Sequence, residues 1–242
     1  MTSKIDFLCD DLTIEFPFLD GHSRSFPARF RGEHSVESSI IGLDRINIKI
    51  KSGDRIGLIG RNGAGKSTLL RTLAGVYEPT KGHIEINTKT TNFFGVGVGV
   101  DQSANGYENI PLLMALREIP LDRLGEVVAD VEEFTELGDA LFRPLRTYSA
   151  GMRLRIAFAV ATFDVQGALL MDEVIGVGDR MFRKKAKARL EAIIDKAPTL
   201  LLASHSMGFL KSFCDKAIVF DGGQIEYQGS IKNAEEFYTK SS

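Results

Sequence analysis

Cysteine is scarce in this sequence, with two residues, Cys9 and Cys214, in a chain of 242. They stand far apart and lack metal-site spacing, so two reduced thiols are expected and not a disulfide framework or a zinc cluster. Charge of one sign is missing as well. Lys and Arg total 30 against 32 Asp and Glu, a formal net charge of -2. That leaves no global positive field to gather nucleic acid or anionic lipid, and no nucleic-acid partner is expected. No apolar run is long enough to span a bilayer, and Met1–Asp6 lacks the core of a signal peptide. If the protein works at a membrane, the spanning part is expected on another chain. Repeats and low-complexity segments are also absent.

The 43% hydrophobic content suffices for a well-buried α/β domain. Ile46-Asn47-Ile48-Lys49-Ile50 alternates as a half-buried strand does, and Lys51-Ser52-Gly53-Asp54 follows as a turn cluster. Arg55–Ile59 reads as a short buried strand, and Ser67–Gly75 as a helix stopped by Gly75. Ile84–Asn87 alternates again. From Tyr107 to Phe163 the period turns helical, and Met152, Ile156, Ala159, Val160 and Phe163 are expected on one face of a helix starting near Ser149. Strand runs return at Ala168–Met171, Thr199–Ala203 and Ala217–Phe220. The last turns through Asp221-Gly222-Gly223 into Gln224–Tyr227. Pro17–Ser39, with two prolines, two glycines and no clean period, reads as a long irregular excursion. The layout is α/β at both ends with a helical insertion between.

Gly60-Arg61-Asn62-Gly63-Ala64-Gly65-Lys66-Ser67-Thr68 fits G-x-x-x-x-G-K-[ST] in full, between a buried strand and a helix. Glycines let the backbone wind round phosphate oxygens with successive N–H groups pointing inward. The following helix adds its positive N-terminal end. Lys66 is expected to reach the β- and γ-phosphates, and the Ser67 hydroxyl to ligate Mg²⁺. Ala168-Leu169-Leu170-Met171 ends in Asp172-Glu173. In a parallel sheet, ligands sit at the carboxyl ends of strands. Asp172 is expected to hold Mg²⁺ through its water shell, and Glu173 to polarise the attacking water.

Two further segments narrow this chemistry. Tyr148-Ser149-Ala150-Gly151-Met152-Arg153 opens a helix shortly before the acidic strand. It resembles the L-S-G-G-Q signature of ABC ATPases. Ser149 and Gly151 are kept, while Tyr148, Ala150 and Met152 depart. His205, in Ala203-Ser204-His205-Ser206, resembles the switch histidine of that family, which contacts the γ-phosphate and helps organise the attacking water. Gly178-Asp179 resembles the loop through which one ATPase domain touches its dimer partner. The resemblance runs from about Leu12 to Gly229. It implies an α/β fold: a P-loop NTPase of the ABC ATPase type, with a RecA-like core, an antiparallel β subdomain and an inserted helical subdomain. Residues 1–242 would form one such domain, with the insertion at roughly 103–163. The resemblance also implies ATP and Mg²⁺ as ligands and head-to-tail pairing of two copies around two nucleotides. Each nucleotide would lie between the phosphate loop of one chain and Ser149–Gly151 of the other. The helical insertion would receive a short helix from an integral membrane permease, which places the chain on the cytoplasmic face of the inner membrane.

Within ABC ATPases the sequence is similar to polysaccharide exporters handling O-antigen, capsule and teichoic-acid chains. The combination rests on Gly60–Lys66, Gly106-Tyr107-Glu108-Asn109-Ile110, Thr147–Arg155, and Asp172-Glu173-Val174-Ile175-Gly176-Val177-Gly178-Asp179, with Val174 where most transport ATPases have proline. Two positions depart from the family's pattern. The segment expected to carry a Mg²⁺-sensing glutamine, Asn92–Val100, has none, and Gln102 lies just beyond it. The family usually stacks adenine on an aromatic upstream of the phosphate loop. Phe16 fits best by position, with Phe18, Phe26 and Phe30 as rivals and a core role equally open to Phe16. The chain stops soon after Phe237-Tyr238, so no fused sugar-binding domain is expected and the cargo is expected to be chosen elsewhere.

Overall fold

A computed structural model of the chain describes residues 4–18, 38–94, 99–172 and 180–241. It opens with strands β1 (Ile5–Phe18), β2 (Ser38–Lys51) and β3 (Arg55–Ile59), then helix α1 (Lys66–Leu73), β4 (Lys81–Ile86) and β5 (Thr90–Asn92). Helices α2 (Gly106–Leu116), α3 (Leu124–Thr135) and α4 (Ala150–Ala161) precede β6 (Ala168–Asp172) and α5 (Arg180–Lys196). The chain closes with β7 (Thr199–Ala203), α6 (Met207–Phe213), β8 (Lys216–Asp221), β9 (Gln224–Ser230) and α7 (Ile231–Ser241). Contacts divide it into two compact units, Met1–Lys89 with Leu201–Ser242, and Thr90–Leu200. Among the described residues no helix is long and apolar enough to cross a membrane.

In the first unit an antiparallel sheet runs in the order β2-β1-β4. A strict two-residue alternation would not bury its apolar residues. On β1 the buried set is Phe7, Cys9, Leu12 and Ile14; on β2 it is Leu43, Ile46, Ile48 and Ile50. Each set changes parity once. The pairing compensates: Cys9↔Ile48 is followed by Leu12↔Ile46 and then Ile14↔Leu43, one extra residue on each strand in turn. Asp11 and Arg45 sit in these bulges, both at φ 50, and the bulges keep Asp11 and Arg45 off the core face. The expected excursion narrows, because Pro17 and Phe18 pair with Ser39 and Ser38 in an antiparallel ribbon. The rest of it, with rivals Phe26 and Phe30, lies outside the described residues.

The unit's second sheet contains β3, which pairs parallel with β8, and β8, which turns through Gly222 and Gly223 into antiparallel β9. Ile56, Leu58 and Ile59 on β3 and Ala217–Phe220 on β8 are all buried, as suits strands covered on both faces. α1 buries Leu69, Leu70, Thr72 and Leu73. It ends where Gly75 takes φ 74, with the Val76 N–H bonded to the Arg71 carbonyl at 2.8 Å.

In the second unit β5 runs parallel to β6. α2 starts with a reciprocal cap: Asn105 Oδ1 accepts from the Glu108 N–H at 2.9 Å, and Glu108 Oε2 accepts from the Asn105 N–H at 2.8 Å. Burial on α4 is not confined to the expected face. Ile156 to Ala161 are all buried, including Ala157, Phe158 and Ala161, because α4 lies against both α2 and α3. Met152 and Phe163 stay only half-buried. Phe134, Phe158 and Phe182 form an aromatic cluster that ties α5 to this bundle. Arg189 covers Phe134 at 4.4 Å and grips Asp130 through both terminal nitrogens at 2.9 and 2.6 Å.

Candidate nucleotide-binding site

The predicted phosphate loop is a loop between β3 and α1, with Lys66 the first helical residue and Gly65 preceding it at φ 111. Gly60 and Gly63 also take positive φ, at 151 and 80. Gly60 is fixed by a close approach too, since a Cβ there would lie 2.5 Å from the Phe220 carbonyl oxygen. The loop closes on itself through the Ala64 N–H and the Arg61 carbonyl at 3.2 Å, and α1 begins with the Leu69 N–H on the Gly65 carbonyl at 2.9 Å. Arg61, Asn62 and Gly63 face solvent, and Ser67 and Thr68 are half-buried in the first turn.

Lys66 is 7% exposed, and its ammonium donates to the Gly60 carbonyl at 2.6 Å and the Arg61 carbonyl at 2.9 Å. A buried cation held by neutral carbonyls of the loop it serves is seated for an anion to approach. Phe16 comes to the same end of the unit. Its ring lies beside Gly42, where a Cβ would meet Phe16 Cε2 at 2.6 Å and Thr68 Cγ2 at 3.1 Å. Tyr77 sets the pitch of that ring by an edge contact at 5.2 Å. Phe16 is half-buried, and the side chain of its rival Phe18 is outside the described residues. His205 follows β7 and is exposed; Ser206 beyond it caps α6 by accepting from the Phe209 N–H at 3.3 Å.

The second unit holds the other expected residues. Asp172 ends β6, half-buried after four buried strand residues. Glu173 and the Gly178-Asp179 loop lie outside the described residues. Ser149 caps α4, its hydroxyl accepting from the Met152 N–H at 3.2 Å, and it is exposed together with Ala150. A Cβ on Gly151 would meet nothing nearer than Ser149 Oγ at 3.8 Å, so this helix start is open to an approaching ligand. Tyr148, a departure from the signature, is a buried anchor whose hydroxyl donates to the Ala140 carbonyl. Arg153 holds the Tyr148 carbonyl at 2.8 Å.

The Gly106–Ile110 segment also has a structural reason. Gly106 leaves no room for a Cβ, which would sit 3.0 Å from both the Leu141 carbonyl and the Tyr148 hydroxyl. Asn109 is fully buried and accepts from the Asp101 N–H at 2.8 Å while donating to the carbonyls of Asp101 and Asn105. The segment therefore fixes the loop before α2 and touches the residue next to Ser149. Of the segment expected to hold a glutamine, 95–98 lies outside the described residues. Beside it, Arg117 donates to the Asn92 carbonyl, and the Gln102 carbonyl accepts from the Arg146 N–H at 2.8 Å.

In the sequence Asp44 and Gly42 have no site role and Gly223 reads only as a turn residue, yet Gly42 and Gly223 lie against Gly65 of the phosphate loop, and the Asp44 N–H donates to the Gly223 carbonyl at 2.9 Å. No spacing rule could have found them, since each is ordinary in its own strand or turn. The Asp44 carboxyl is held below the usual carboxylate range, first by the hydrogen bond from Arg45 and then by that from Gln224.

Comparison with known proteins accords with this geometry. A profile described as "ABC transporter" matches residues 43–176. The O-antigen export system ATP-binding protein RfbE of Yersinia enterocolitica is 37% identical over 230 residues, covering 91% of this chain and 96% of that protein. The ATP-binding protein BexA of Haemophilus influenzae is 36% identical over 200 residues, 82% of this chain and 90% of that one. Among solved structures, the dimeric post-hydrolysis state of an ATP-binding cassette bound to ADP and Pi shares the fold. Its TM-score is 0.67 at 17% identity, over 93% of this chain and 98% of that one. The matched residues take in the phosphate loop, Ser149 and Asp172 alike, and the chain belongs to the ABC transporter family as one of its nucleotide-binding, ATP-hydrolysing members.

Proposed function

We propose that this chain energises export of a lipid-linked surface polysaccharide of the O-antigen or capsule type across the cytoplasmic membrane. It would act as the peripheral ATPase subunit of a separate integral permease. The observation that carries this reading is the 37% identity across 96% of an O-antigen export ATP-binding protein.

In this reading residues 1–242 act as one ATP-binding domain, with the helices at roughly 103–163 as its inserted part. Lys66 exchanges its loop carbonyls for β- and γ-phosphate oxygens, and the N–H groups of Asn62 to Thr68 cradle the rest. Phe16 stacks on the adenine, buttressed by Tyr77. Ser67 and Asp172 each offer the hard oxygen that Mg²⁺ takes. When bound, that ion neutralises charge on the phosphates. Glu173 accepts a proton from the attacking water, and His205 orients that water against the γ-phosphate. Ser149 and Gly151 of a second copy present an open helix start to the same nucleotide. ATP thereby favours the closed pair, and hydrolysis releases it.

The test is deletion of the gene followed by gel analysis of surface glycans. Loss of one polysaccharide, restored by the wild-type gene but not by Glu173→Gln, is the expected result. An unchanged glycan profile would overturn the polysaccharide assignment and point to another cargo.

A further inference from the structure

The hairpin turn between β8 and β9 is bound to the phosphate loop by a closed circuit. The Gly223 N–H donates to the Ala64 carbonyl at 3.0 Å, and the Asp44 N–H donates to the Gly223 carbonyl at 2.9 Å. Side chains complete it: Gln224 Nε2 donates to Asp44 Oδ2 at 2.6 Å, and Arg45 Nε donates to Asp44 Oδ1 at 3.2 Å. Glycine surfaces bring the three segments together. A Cβ on Gly65 would lie 3.0 Å from the Gly42 carbonyl oxygen and 3.3 Å from Gly223 Cα. Asp44 reaches this position only through the bulge in β2. Arg45 takes φ 50 there, with its N–H on Thr13 Oγ1 at 3.1 Å and its carbonyl accepting from Asn47 Nδ2 at 3.1 Å.

Ala64 and Gly65 are the last residues of the loop before α1, so this circuit grips backbone that wraps the phosphates. We infer that Asp44 and Gln224 are positioning residues that hold the Ala64–Gly65 segment, through Gly223, in the conformation that takes nucleotide. The inference rests on the ATP-binding reading above. Neither side chain touches the phosphates; they raise the fraction of molecules whose loop is already formed, and apparent affinity scales with that fraction.

The test uses the purified full-length chain with ATP. Gln224→Ala removes one hydrogen bond to a charged, partly exposed acceptor, so KM for ATP should rise about 3- to 10-fold with kcat kept within about twofold. Gln224→Glu sets a carboxylate against Asp44 and should raise KM further. Asp44→Asn keeps an acceptor for Gln224 and should stay near wild type, whereas Asp44→Ala should match Gln224→Ala. In the nucleotide-free protein, Gln224→Ala should speed amide hydrogen exchange at Gly223 and across the loop while leaving α3 and α4 unchanged. Unchanged KM and unchanged loop exchange would overturn the clamp, and so would faster exchange spread evenly over the chain, the mark of a merely structural role. If the wild-type chain bound no ATP, the functional reading would fall, and the exchange measurement would still decide the clamp.

Discussion

Gly60 and Gly63 occupy one loop, yet alanine should affect them very differently. Both have positive φ, 151 and 80, so a side chain at either place strains the backbone by about 1–2 kcal/mol. Only Gly60 adds a clash. Its Cβ would lie 2.5 Å from the Phe220 carbonyl oxygen and 3.1 Å from the Ala64 Cβ, whereas nothing lies within 4 Å of a Cβ on Gly63. That carbonyl belongs to β8, whose Val219 is paired with Ile59 of β3, so it cannot retreat without loosening the sheet. Overpacking of this kind costs about 1–3 kcal/mol. Gly60→Ala should therefore lose about 2–5 kcal/mol and Gly63→Ala about 1–2, against a total stability of about 5–15 kcal/mol. At about 2–4 °C per kcal/mol for a chain of this size, Tm should fall roughly 4–20 °C for Gly60→Ala and roughly 2–8 °C for Gly63→Ala. Urea and thermal unfolding of the nucleotide-free variants, followed by circular dichroism, reads this without any contribution from ATP. Equal losses at the two positions would refute the argument that the β8 carbonyl is what excludes a side chain at Gly60.

Further outcomes follow from the site. Lys66→Ala should weaken binding of a fluorescent ATP analogue at least about tenfold, because a charge-assisted contact to phosphate is lost. Glu173→Gln should still bind ATP but hardly hydrolyse it, and should accumulate as a dimer on size exclusion; turnover like wild type would remove Glu173 from its role. His205→Ala should slow hydrolysis with binding kept, and unchanged kinetics would return it to a structural role. The Asp101 carboxyl is held below its ordinary range first by the Ser103 hydroxyl and then by the Ser103 N–H. Its folded value is thus below the unfolded one, so the turn's stabilisation is complete above the ordinary carboxylate range and is lost as pH falls through the folded value. Ser103→Ala should move the Asp101 titration upward in carboxyl-carbon NMR. Burial pushes the thiols of Cys9 and Cys214 up to about 12, so neither should react with a disulfide reagent near neutral pH until the chain unfolds.

Most of the nucleotide chemistry was legible in the sequence because it is local. A phosphate loop needs glycines and a lysine at fixed spacing on one turn of chain, and Ser149 caps α4 through an N–H only three residues further on, that of Met152. The strands at Arg55–Ile59, Ala168–Met171 and Thr199–Ala203 were legible for the same reason, as short apolar runs closed by turns. α5 was not. Its basic residues hide a helix whose Arg189 is absorbed by Phe134 and Asp130, partners that exist only once α3 lies alongside. The buried circumference of α4 was hidden too, since a period shows where a helix is apolar and not how many neighbours it will have. The breaks in alternation blurred β1 and the part of β2 before Ile46, because a bulge looks like a lost pattern until its partner's register is known. The sequence by itself determined where the glycine-rich loop and its lysine lie, since a G-x-x-x-x-G-K-[ST] pattern depends only on residue type and spacing along one short segment. Only the tertiary structure decided what holds the loop in shape: Asp44 and Gln224 are 180 residues apart, and no rule of local spacing joins them.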